Sequence, residues 1–237
     1  MEVRIPTLAG SEATAWDLLF DLYSSYPNGW VVVGAQMVVL HAAFHGVARP
    51  IRTDDADVLI DIRSVNVRDI AQWFVNKDFD LDSVSPEGIG HRFVREGVAI
   101  DLLSIDHTEN EESRTTIPPA RTVEVPGGRQ ALTRTLEATV HFDDKTGLVP
   151  IPDWLGSVGL KARAAKSLPD QREKHIRDLI LLLGLPVDLP SQVDLISKRE
   201  RKHLREAAEL ITEANWTSVS RAIDPRNARA ALGLLTR

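Results

Sequence analysis

The chain has no cysteine, two methionines, two tyrosines and only 5% aromatic residues. Without a thiol there are no disulfides, no thiolate nucleophile, no zinc ribbon and no iron–sulfur ligation. Long apolar runs are missing as well. The longest, residues 30–40 and 179–185, fall short of the ~18 residues a membrane span requires and suit buried strands or helices, so no membrane partner is expected. The opening MEVRIPTLAGSEATAWDLL carries no basic flank followed by an apolar stretch. No signal peptide is therefore expected, and the chain reads as soluble and cytoplasmic.

What is present is a core. With 237 residues, 43% hydrophobic and 26% charged, the chain is neither disordered nor fibrous, and its length fits one large domain or two modest ones. The net charge of −6 hides an asymmetry: residues 1–157 sum to −11 and residues 158–237 to +5. An acidic first part suits hard metal ions, and a basic last part suits phosphates; solvated helix faces are the bland alternative for both.

Apolar spacing predicts a helix from Ser11 that Pro27, Asn28 and Gly29 stop. It then predicts a β-branched strand at Trp30–Val33 ending in Gly34, a helix over 35–45, a strand over 53–62 and a helix over 67–77. Strands at 91–95 and 98–105 flank a hairpin turn at Glu96 and Gly97. Residues 106–150 read as loops with one or two edge strands. From Pro152 the pattern is helical, with segments over 154–165, 176–183, 197–214 and 218–235. The fold class is α/β (α+β): a mixed-sheet core over 1–150, then a helical domain over 151–237.

Three features of the core follow one another. Gly34 and Ala35 turn a strand into a helix, where a Gly lets backbone approach a phosphate and the helix start offers free N–H groups. The next strand begins with Arg52, Thr53, Asp54, Asp55, Ala56 and Asp57. Residues i and i+2 of a strand share a face, so Asp55 and Asp57 sit side by side and repel unless a cation compensates. Asp101 stands in the apolar run of a later strand and needs a partner too. If the strands are neighbours, the three acids converge on a site suited to Mg²⁺, which takes few carboxylates plus substrate phosphate oxygens.

This segment resembles the nucleotidyltransferase-fold superfamily (polymerase β-like). Within it, the similarity is to the minimal and AbiEii-type bacterial nucleotidyltransferases, several of which are toxins of toxin–antitoxin systems. The resemblance covers about residues 30–105 and is looser beyond. It implies that Asp55 and Asp57 are paired ligands for Mg²⁺, or Mn²⁺, and that Asp101 is a third ligand or a base toward the attacking hydroxyl. It further implies that Gly34, Ala35 and Thr53 lie at the nucleotide phosphates, with Lys161, and next to it Lys174, on the triphosphate. The implied activity moves a nucleoside monophosphate from a triphosphate to an RNA (tRNA) or protein hydroxyl, with a cognate antitoxin as a further partner.

Two departures stand out: Ala35 lacks the hydroxyl or the openness of the usual Ser or Gly, and Asp54 adds a third anion beside the pair. Ala35 favours the rival reading, a catalytically inactive binding or regulatory protein on the same fold. A metal-dependent phosphohydrolase using the same acids lacks a supporting His–Asp doublet. Arg49 and Arg52 either bind phosphate or neutralise the acids. His41 and His45 are four apart on a helix but have no third ligand, which favours core or surface histidines over zinc. The basic run 198–205 is either a solvated helix or an RNA-backbone contact.

Overall fold

The computed structural model describes all residues except 7, 9, 48–54 and 107–110. In chain order the elements are β1 (Glu2–Arg4), α1 (Ser11–Ser25), β2 (Trp30–Val33), α2 (Gly34–Phe44), β3 (Asp55–Ile60), α3 (Val67–Val75), β4 (Asp80–Leu81), β5 (Arg92–Arg95) and β6 (Val98–Ile105). They continue with β7 (Val123–Val125), α4 (Gly128–Leu132), β8 (Thr135–Phe142), β9 (Lys145–Pro152), α5 (Trp154–Ser167) and α6 (Arg172–Leu183). Helices α7 (Leu189–Leu195), α8 (Lys198–Ala208), α9 (Glu213–Ser218) and α10 (Pro225–Leu235) end the chain.

Among the described residues the strands form two sheets. One runs β2-β3-β6-β5-β4, with β7 alongside the far end of β6; the other is β1-β8-β9. The first is mixed: β3 and β6 are parallel, while β2 on β3 and β5 on β6 are antiparallel. Every residue of β2 is buried, which explains its unbroken apolar sequence: helices cover both faces, and alternation is lost. On one side Trp16, Trp30, Phe74 and Phe93 anchor a core beneath α1 and α3. On the other, α2 and β3 share one apolar cluster with α5, α6, α8 and α10. Trp154 seals that side by donating from Nε1 to the Leu182 carbonyl at 2.7 Å. The mixed α+β architecture is the one the sequence predicts.

Local details depart from the sequence reading where short-range signals were strong but unread. The edge strands expected within 106–150 are longer than the sequence suggests: residues 135–152 form an eight-on-eight hairpin in which Ala138, Val140 and Phe142 point inward at strand spacing and Asp143 takes the left-handed turn position at φ 49°. The two long C-terminal helices are three. Thr212 caps a new helix through reciprocal bonds with Asn215, and Asp224 caps another whose first residue is Pro225.

His41 belongs to this scaffold, as a core histidine. Its Nε2 donates to the Pro152 carbonyl at 3.0 Å, with Ser157 Oγ 2.9 Å away, joining α2 to the start of α5. Burial pushes its pKa down to about 4. The unfolded chain therefore takes up a proton below about pH 6.5 that the folded chain refuses until about pH 4. The stability His41 contributes is present above pH 6.5 and lost as pH falls through that window, by about 3 kcal/mol. Urea melts at pH 7 and pH 4.5 are expected to show this drop, and His41→Gln is expected to make it shallower. An equal slope in the variant would contradict this role.

Candidate active site

Four strands set the site in one row. Val33 pairs with Asp57, Asp57 with Asp101, and Asp101 with Arg92. Directly paired residues share a face of a sheet, and Asp55 lies two residues from Asp57 on that same face. The three predicted carboxylates thus project from the same face of β3 and β6.

Gly34 closes the row at the β2 end. It has φ 64°, and a Cβ placed there would stand 1.6 Å from Asp57 Oδ2. The carboxylate therefore presses on the first residue of α2, a contact that only glycine permits in a conformation that L side chains avoid. Among the described residues α2 has no side-chain cap, and Ala35 follows buried. The first N–H groups and the positive dipole end of the helix lie at the Asp57 carboxylate.

Charge is unevenly compensated along the row. Arg92 grips Asp101 with two bonds, Nε to Oδ1 at 2.8 Å and Nη2 to Oδ2 at 2.9 Å, and its Nη2 stands 3.6 Å from Asp55 Oδ2. These anions raise the guanidinium pKa, so it stays charged. Asp57 is different. Loss of water and then the facing charge of Asp101 raise its pKa, against the opposing pull of Lys161 and Lys174. A carboxylate pressed between a glycine and another carboxylate is in want of a cation.

The helical region supplies two lysines to this place. Lys161 of α5 is buried, and its Nζ bonds Asp178 Oδ2 of α6 at 2.9 Å. Lys174, on the first turn of α6, is exposed. Both charges act on His175 of α6, whose pKa is pushed down to about 4 by burial and then by Lys161.

The site residues named from the sequence divide accordingly. Gly34, Ala35, Asp55, Asp57 and Asp101 form one cluster, and the charge of Lys161 reaches it. Thr53, with Arg49, Arg52 and Asp54, lies outside the described residues. The basic run over 198–205 is partly structural: Arg201 donates to the Leu235 carbonyl, and Arg205 to those of Thr236 and Arg237, satisfying the end of α10. Sequence reasoning missed Arg92, Asp178 and His175. Arg92 was findable, because a two-residue turn at Glu96 and Gly97 pairs Arg95 with Val98 and hence Arg92 with Asp101.

An antigenic nucleotidyltransferase-like protein from Paracoccidioides brasiliensis has a similar solved structure, with a TM-score of 0.53 over 94% of this chain and 92% of that one, at 16% identity. The fold is nucleotidyltransferase-like. No family model matches the sequence, and no curated protein does. Within this nucleotidyltransferase-like fold the acid row lies on the mixed sheet and the C-terminal helices pack against it. No helix among the described residues is long and apolar enough to cross a membrane.

The donors suit a hard divalent cation, since all are carboxylate oxygens and, among the described residues, Asp57 has only the more distant charges of Lys161 and Lys174 to offset its own. Among the described residues no three acidic or histidine side chains are drawn together as a ready ligand set, and Asp101 is engaged by Arg92. Asp55 and Asp57 are the pair that fits such an ion.

Proposed function

We propose that this chain is a Mg²⁺-dependent nucleotidyltransferase, moving a nucleoside monophosphate from a triphosphate to a hydroxyl of RNA, tRNA first, or of a protein. The observation that supports this most is the contact of Asp57 with Gly34, in register with Asp101. It joins a metal-binding carboxylate to a phosphate-accepting helix start. Asp55 and Asp57 would hold the ion, with Mn²⁺ as its substitute. The ion would neutralise charge on the phosphates as the leaving group departs.

The chain's own groups do the rest. The N–H groups of Gly34 and Ala35 receive phosphate oxygens, and Lys161 and Lys174 lie toward the triphosphate tail. The acceptor oxygen bonds the α-phosphorus, the bond to the β-bridging oxygen breaks, and pyrophosphate leaves. Asp101 takes the hydroxyl proton or joins the ion's ligands through the lone pairs that its two bonds to Arg92 leave open. In the toxin role that the resemblance implies, a cognate antitoxin is the partner to look for.

A second reading has its own observation. Arg92 already occupies Asp101, and Asp178 holds Lys161, which suits an inactive binding protein on the same fold. The test is transfer from each of four α-³²P-labelled nucleoside triphosphates, with Mg²⁺, into total tRNA and extract protein. Label with wild type that falls to background in Asp55→Asn/Asp57→Asn is expected. No label from any donor, with triphosphate binding retained, would select the binding protein.

A further inference from the structure

His175 is the buried group that the proposed chemistry leaves unused. It is only 8% exposed, and neither ring nitrogen has a hydrogen-bond partner among the described residues. Buried polar side chains almost always have partners, so an imbalance at both nitrogens points to a missing one. An imidazole kept only for packing would be better replaced by an apolar side chain of the same size.

Its position says what that partner is. His175 lies three residues before Asp178 on α6, so the two occupy the same side of the helix, and Asp178 carries Lys161 at 2.9 Å. The charges of Lys161 and Lys174 act on His175 and also on Asp57. The imidazole is thus one helical turn from the Asp178–Lys161 pair, and the Lys161 charge also reaches the carboxylate row. The start of α6, twelve residues long, has no side-chain cap among the described residues. Lys161, Lys174 and the start of α6 favour an anion, while Asp178 is already engaged by Lys161.

We propose that His175 is a specificity-determining residue of the phosphate-binding end of the site, donating a hydrogen bond from its imidazole to the terminal phosphates of a bound triphosphate. This rests on the triphosphate reading given above and names the residue that recognises the tail. A neutral donor suits the place. A third permanent cation would repel Lys161 and Lys174, whereas an imidazole kept neutral by its burial supplies an N–H without added charge. One such bond to an anionic oxygen corresponds to about a tenfold change in affinity or more.

The experiment is calorimetric titration of the full chain with inorganic tripolyphosphate and with pyrophosphate, in wild type, His175→Leu and His175→Gln. His175→Leu is expected to bind tripolyphosphate about tenfold more weakly with an unchanged or higher unfolding midpoint, and His175→Gln to recover most of the loss. Weaker binding with retained or raised stability separates a ligand contact from a structural role. Equal affinity in wild type and His175→Leu would overturn the proposal while leaving the transferase reading intact. Absence of binding of both probes to wild type would instead remove the triphosphate reading itself.

Nitrogen-15 NMR of the histidine rings, assigned with the His175→Gln variant, keeps the question open to refutation even if His175→Leu does not fold. A shift of the His175 nitrogens on adding tripolyphosphate is expected, and unmoved nitrogens under saturating probe would refute the contact. In the transfer assay the loss is expected in KM for the triphosphate more than in kcat.

Discussion

Asp57→Asn is expected to give a protein that is more stable and inactive. The wild-type carboxylate is desolvated against Gly34 and faces Asp101, and both raise its pKa. An amide of the same shape removes the desolvated charge and the repulsion, so the variant is expected to unfold at a higher urea midpoint at pH 7. Transfer is expected to fall about a thousandfold, equivalent to about 4 kcal/mol of transition-state stabilisation. The sign of the pH dependence follows from the raised pKa. In EDTA, wild type is relieved of its penalty at acidic pH, where Asp57 is protonated, and acquires it as pH rises through the folded-state pKa. The stability gap between variant and wild type is thus expected to be open at pH 7 and closed near pH 3.5. A variant that is less stable at pH 7, or that transfers at the wild-type rate, would contradict this account of Asp57.

The two halves of that prediction rest on features of Asp57 that the sequence already carries. Two acids at i and i+2, a strand ending in glycine and a third acid in an apolar run are conflicts with simple burial, and sequences keep such conflicts mainly at functional sites. That the two strands are neighbours was only a condition in the sequence, and the register of β3 on β6 meets it. The remaining site residues left fainter marks. Asp178 lies in a helical stretch whose residues 178–183 are all buried, yet the Arg177–Asp178 doublet resembles ordinary surface charge. His175 looks like any helix histidine until both nitrogens are seen to lack partners. In the scaffold, the second strand of the β8–β9 hairpin was harder to read, because Gly147, Pro150 and Pro152 interrupt its strand pattern; the prolines sit in the end of the strand that joins α5. The splitting of the last helices rests on capping at Thr212 and Asp224, which apolar periodicity does not register.

Gly34→Ala is expected to cost both stability and activity. Two costs combine. At φ 64° an alanine is strained by about 1 kcal/mol, and its Cβ would overlap Asp57 Oδ2 at 1.6 Å, so the carboxylate must swing away or α2 must shift. Together about 2–4 kcal/mol of stability is expected to be lost. Transfer is expected to drop by at least about a hundredfold, since a displacement of about 1 Å at a reacting site has that effect. Gly97→Ala separates the two costs. Its φ is 82° and a Cβ there meets nothing within 4 Å, so it is expected to show the strain alone and to keep activity. A double-mutant cycle then identifies the atom responsible. If the overlap is with Asp57, the stability cost of Gly34→Ala falls to about 1 kcal/mol in an Asp57→Ala background, because the obstructing carboxylate is gone. Activity stays lost in that background, since the carboxylate that the helix start was shaped to meet has been removed. Costs that add without coupling would show that the glycine serves only the turn, and the join between helix start and carboxylate would no longer support the transferase reading.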